Sequence, residues 1–126
     1  MKRVFMLFAV LLVTTSVFGA QGFVWANDMT SASYAPDPNY AYNSTGGAIK
    51  ATRTGVGDYA VTFAGLGAAG AGKKSNVQVT AYNARTTCNV VNWSGSPALT
   101  VKVRCFYIPD GSMKDSQYTL LVTFSP

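Results

Sequence analysis

The chain changes rhythm at residue 20. Before it, the basic pair Lys2-Arg3 leads into an apolar run from Val4 to Val13, which gives way at Ser16-Val17-Phe18-Gly19-Ala20. After it, apolar and polar side chains alternate in short bursts. Period-two alternation puts every second side chain on one face of a strand. Six segments rich in Val, Thr, Tyr and Phe carry it: Ala48–Thr54, Asp58–Phe63, Asn76–Asn83, Thr87–Trp93, Ala98–Phe106 and Ser116–Phe124. Phe23–Ala26 predicts a short first strand and Tyr40–Tyr42 a further one. Tyr59, Val61 and Phe63 share a face, as do Val77, Val79 and Ala81. Leu99, Val101, Val103 and Cys105 form another set, and Tyr118, Leu120, Val122 and Phe124 a fourth.

The connectors have turn chemistry. Thr54-Gly55-Val56-Gly57-Asp58, Ser94-Gly95-Ser96-Pro97 and Pro109-Asp110-Gly111-Ser112 each join two strand segments. Residues 27–47 read as an ordered loop around a short strand, and the Gly/Ala-rich stretch Gly65–Gly72 as a mobile loop. Nothing after residue 20 has helical periodicity. The expected fold is all-β, an antiparallel β-sandwich or partly closed β-barrel of about seven or eight short strands.

The first twenty residues have the order of a secretory signal peptide: a positive end, a short apolar core and a small-residue exit. The core is about ten residues long, against the roughly 20 needed to span a bilayer. Cleavage after Gly19 or Ala20 leaves residues 21–126 as one β domain. No cysteine follows the exit, which argues against a lipid anchor. Export to the extracellular space, or to the periplasm or envelope of a bacterium, is the expectation.

Charge changes little. The net charge of +5 falls to +3 once Lys2 and Arg3 leave, and Lys73-Lys74 is the sole basic doublet of the remainder. Nucleic-acid binders concentrate far more charge on one face. Composition is more decisive. There is no His, and all five acidic residues are Asp. That excludes zinc sites built on His, Ser-His-Asp triads and paired-Glu hydrolases. No cofactor, metal or catalytic set is predicted.

Cys88 and Cys105 are the two cysteines. In an oxidising compartment such a pair reads as a disulfide. A hairpin centred on Ser94–Pro97 sets Cys88 opposite Cys105, at a Cα separation of about 4.5–5.5 Å that a disulfide accepts. A redox-active pair is the alternative, although its usual spacing is Cys-x-x-Cys.

Several motifs imitate chemistry. Gly67–Ser75 nearly spells a phosphate-binding loop, but Lys74 occupies the Ser/Thr position and a strand follows where a helix is required. Gly55–Ala60 mimics a dinucleotide fingerprint between two strands. Asn43-Ser44-Thr45 and Asn92-Trp93-Ser94 match a glycosylation pattern relevant to a eukaryotic host. Asp110 and Asp115 flank a turn, where turn-forming and strand-start roles outweigh a calcium site. One surface patch survives. With Leu99, Val101, Val103 and Cys105 inward, Lys102, Arg104 and Phe106 face out. The same hairpin sets Val91 and Trp93 beside them, a mixed aromatic and basic patch suited to sugar rings or an anionic partner. The competing reading covers Trp93 and Val91 with other parts of the fold.

Several phrases recur together: Gly22–Asn27 (GFVWAN), Tyr40–Gly47 (YAYNSTGG), Thr52–Gly67 (TRTGVGDYAVTFAGLG), Asn76–Tyr82 (NVQVTAY), the cysteine pair and Asp115–Tyr118 (DSQY). In this order they resemble a module of uncharacterised secreted bacterial proteins that occurs alone or in tandem. The resemblance implies a β fold and export, and carries no catalytic or ligand residues.

The function expected is therefore that of a secreted, non-catalytic β module, a binding or structural component of the extracellular space or cell envelope. A glycan, a cell surface or another secreted protein would be its partner, with no nucleic acid and no membrane span after leader removal. A lectin-like module for glycans or anionic surfaces is the sharper alternative. A secreted inhibitor using the Gly67–Ser75 loop, or a small hydrolase resting on Asp or on Lys73, Lys74 and Ser75, is the second.

Overall fold

The computed structural model describes residues 18–126, so the expected signal peptide falls almost wholly outside the described residues. Among the described residues nine strands form two antiparallel sheets. They are β1 (Gln21–Ala26), β2 (Ser33–Tyr34), β3 (Ala41–Asn43), β4 (Ile49–Gly55), β5 (Asp58–Phe63), β6 (Ser75–Ala81), β7 (Thr86–Ser94), β8 (Leu99–Tyr107) and β9 (Tyr118–Phe124). The smaller sheet has the order β3-β1-β9-β6 and the larger β2-β4-β5-β8-β7. The arrangement is a sandwich. The barrel alternative is not adopted: the two sheets share no ladder, even where their edge strands β6 and β7 lie side by side.

The core is the set of inward faces read from the alternation. Tyr59, Val61 and Phe63 of β5 meet Leu99, Val101, Val103 and Cys105 of β8, with Val24, Tyr118, Leu120 and Val122 from the smaller sheet. On β1 the small residues Gly22, Val24 and Ala26 face inward. A side chain at Gly22 would strike Phe63 and Leu66. The bulk of Phe23 and Trp25 therefore goes to the opposite face.

One expectation is corrected. The Gly65–Gly72 stretch is not a free loop: Leu66–Ala69 is a helical turn, α1, with Leu66 fully buried. The Ala68 amide donates to the Pro97 carbonyl. At Gly70 a Cβ would enter the Phe124 ring, and at Gly67 it would meet the Gly95 carbonyl. Small residues here allow close approach, which from sequence looks the same as a call for flexibility.

The staple is in the larger sheet. Cys88 and Cys105 are directly opposed on β7 and β8 and disulfide-bonded, with Cα atoms 4.0 Å apart. Closing a loop of this size contributes about 3 kcal/mol in the chain-entropy model. A second tie is polar. Arg53 of β4 grips Asp115 bidentately at 3.0 and 2.9 Å. The same carboxylate accepts from the Gly57 amide at 2.8 Å and the Tyr59 hydroxyl at 3.0 Å. Gly57 sits at φ +67, where an added Cβ would meet the Cys105 carbonyl oxygen. Arg53 above all, then Gly57 and Tyr59, hold the Asp115 carboxyl below its ordinary range against the opposing effect of burial. Burial pushes the Tyr59 phenol up. The strand-start aspartate is thus a clamp joining the β4–β5 hairpin to the segment entering β9.

Candidate functional site

The patch expected around the Cys88–Cys105 hairpin is divided by a β-bulge. The register runs Cys88↔Cys105 and Val90↔Val103, then slips, so that Asn92 faces Lys102 and Trp93 faces Val101. A bulge inserts one unpaired residue and reverses the facing of everything beyond it. Trp93 therefore shares the inner side with Val101, and its indole N–H donates to Ser75 Oγ of β6 at 3.0 Å, bridging the two sheets at their open edge. Val91, Lys102 and Arg104 do come together, with Asp58, Tyr59 and Ala60, around a cleft of about 210 Å³. Arg104 is engaged there by Asp58 at 2.9 Å. Phe106 lies opposite Thr87 and is half covered, bridging to Met113. Trp93, 40 % exposed at that edge, thus lies on the opposite side of the sheet from Lys102 and Arg104, and Arg104 is already paired with Asp58.

Other candidates also acquire structural partners. Ser75 Oγ accepts a hydrogen bond from the Trp93 indole N–H and opens β6. Asp110 accepts from Ser112 inside its own turn, and its carboxyl is lowered chiefly by that hydroxyl. Asp115 belongs to the clamp, so the two aspartates serve different partners. Among the described residues no group of three or more His, Cys, Asp or Glu gathers. The Asn43 amide is nearly buried and donates to the Gly47 and Ala64 carbonyls, at 3.1 and 2.9 Å, which leaves no room for a glycan on it.

What sequence reasoning missed is the outer face of the smaller sheet. The registers line up Tyr42, Phe23, Leu121 and Gln78 in one row across β3, β1, β9 and β6. The neighbouring row is Trp25, Thr119 and Thr80. Tyr40, from a 3-10 turn at Pro38–Tyr40, and Tyr82, just past β6, close on Trp25 from its flanks. Phe23 and Tyr42 stack at 5.7 Å. Trp25 meets Tyr40 edge to face at 5.2 Å and Tyr82 at 5.4 Å. Phe23, Tyr40, Tyr42, Tyr82 and Leu121 are between 40 % and 64 % exposed. A groove of about 490 Å³ crosses the face, lined by Phe23, Trp25, Tyr40, Gln78, Thr80 and Leu121 among others. A third row, Gln21, Thr123 and Asn76, completes the surface. None of these residues is charged.

Exposed aromatic rings leave apolar area in water, at about 25 cal/mol per Å². Patches of this kind mark interaction sites. The sequence signal was available: in FVWA the two large rings alternate with two small residues. Aromatic residues ordinarily read as core, so the direction of the alternation is settled only by what fills the space beneath β1.

The class defined by this geometry is an antiparallel β-sandwich, stapled within one sheet and carrying an uncharged aromatic face on the other. No family model, curated protein or solved structure matches the chain. Among the described residues no helix is long and apolar enough to cross a membrane.

Proposed function

We propose that the chain is an exported, non-catalytic binding or structural module of the extracellular space or cell envelope, and that it works through the outer face of its smaller sheet. The leader-like first twenty residues and the intact disulfide support export. The observation that carries the binding role is the aromatic face itself. Five rings, from β1, β3 and their flanking turns and from the end of β6, converge on one solvent-facing surface. Rings supply large contact area at low entropic cost, which is why binding surfaces are rich in them.

The test is adhesion. The mature protein is incubated with insoluble envelope and extracellular-polymer fractions of its host and then sedimented. The wild type co-sediments, a Phe23→Ser/Trp25→Ala variant stays in the supernatant, and a Thr62→Lys variant on the opposite sheet behaves as wild type. Equal sedimentation of all three overturns the reading.

A further inference from the structure

We infer that the occupant of the aromatic face is a neutral glycan. The inference rests on the binding-module reading above and names the ligand class for the same surface. Three observations carry it.

The first is charge. The face interleaves rings with amide and hydroxyl side chains and holds no Lys, Arg or Asp. A sugar ring offers C–H surfaces that lie on aromatic rings and hydroxyl edges that Gln78, Thr80 and Thr119 can meet with donors and acceptors. A polyanion would find no cation to replace its counterions. The second is area. Phe23, Tyr40, Tyr42, Tyr82 and Leu121, at 40–64 % exposure, present on the order of 500 Å² of accessible side chain. A stable protein interface takes about 800 Å² from each partner. The patch is small for a second copy of the chain and suits a few ring-sized units of a polymer. The third is an unused donor. The Trp25 indole N–H is covered, and among the described residues it has no hydrogen-bond acceptor. Buried donors without partners are rare and call for a reason. Tyr82, 64 % exposed, packs against that indole. Tyr40 packs on it as well, and a ligand hydroxyl or acetamido oxygen reaching between these rings would supply the missing acceptor.

Affinity electrophoresis in gels containing hydroxyethylcellulose, glycol chitin, mixed-linkage β-glucan or galactomannan tests the assignment, with polygalacturonate and alginate as anionic controls. The wild type is expected to be retarded by at least one neutral polymer, with no loss when NaCl is raised to about 0.5 M. Trp25→Ala should weaken retention about tenfold or more. Trp25→Phe keeps a ring and loses the donor, and should weaken it about three- to tenfold. Tyr82→Ala, at an exposed position, provides the same reading if Trp25→Ala fails to fold, as judged by near-ultraviolet circular dichroism. Retardation by the anionic polymers alone, abolished by salt, overturns the inference. So does a concentration-dependent dimer that Phe23→Ser abolishes, which would assign the face to a second copy. Absence of retardation in every polymer, while envelope adhesion still depends on Phe23 and Trp25, overturns the glycan assignment and leaves the binding module standing.

Discussion

The outward faces of the two sheets differ in kind. The larger sheet shows solvent Lys50, Thr62 and Thr100 in one row and Thr52, Ala60 and Lys102 in the next, with Asp58 paired to Arg104 at its end. The residues of these two rows are small, hydroxylated or charged, and the Thr62 and Thr100 hydroxyls bond to each other at 3.1 Å. That is a surface satisfied by itself and by water. The smaller sheet offers rings, one leucine and uncharged polar groups, and leaves an indole N–H unpaired. The ties also sort unevenly. The disulfide lies within the larger sheet, and the three residues that bond the Asp115 carboxylate, Arg53, Gly57 and Tyr59, all lie on the β4–β5 hairpin of that sheet. The larger sheet carries the covalent and ionic reinforcement and, at its β7 edge, the exposed Val91 and Trp93; the smaller sheet carries the exposed ring cluster. Covalent and ionic ties are thereby separated from the aromatic face, on which the proposed binding role falls.

Disrupting the reinforced layer should have the largest effect. Joint replacement of Cys88→Ala and Cys105→Ala should lower unfolding stability by about 3 kcal/mol in denaturant titration. Envelope adhesion of the protein that remains folded should be unchanged, and loss of adhesion from a folded variant would merge the two roles.

The clamp comes next. Asp115→Ala removes a bidentate ion pair together with the acceptor of Gly57 and Tyr59, and should cost about 2–3 kcal/mol. Because the folded carboxyl titrates below its unfolded value, its contribution is complete above about pH 4 and is lost as the pH falls through the lower folded value. Melting midpoints measured from pH 6 downward should show this acid limb in the wild type and a flatter one in Asp115→Asn.

On the other layer, Phe23→Ser should cost only about 1 kcal/mol, mainly the stacking on Tyr42, while removing most of the adhesion. A large stability loss without an adhesion change would make the face structural. Least of all, Arg104→Ala on the satisfied face should shift neither melting midpoint nor adhesion resolvably, since its pair with Asp58 is solvent-screened. An adhesion defect there would return attention to the cleft at Val91 and Lys102.

Strand segments were readable because a half-buried sheet demands alternation, and Tyr59-Val61-Phe63 or Leu99-Val101-Val103 leave no other comfortable arrangement. The Cys88–Cys105 pairing was readable because the turn between them sets the register up to Val90. Past Val90 the facing of Trp93 was not readable, since nothing in Asn89–Ser94 announces which residue will be left unpaired. The helical turn at Leu66–Ala69 was hidden for a related reason: glycine that makes room and glycine that loosens the chain are the same letter. The aromatic face was half visible. Its residues were all in view, but Tyr40, Tyr42, Phe23, Trp25 and Tyr82 are spread over sixty positions and meet only when β3, β1, β9 and β6 assemble.

Sequence alone determined the all-β class, most strand positions, the inward faces of β5, β8 and β9 and the disulfide, because local alternation and turn chemistry act over a few residues. Tertiary structure decided the order of the strands, the bulge that turns Trp93 inward, the partners of Asp115 and the outward aim of Phe23 and Trp25. Those depend on which side chains occupy a shared volume. Phe63 and Leu66, arriving from distant segments, fill the space under β1 and leave its rings to the solvent.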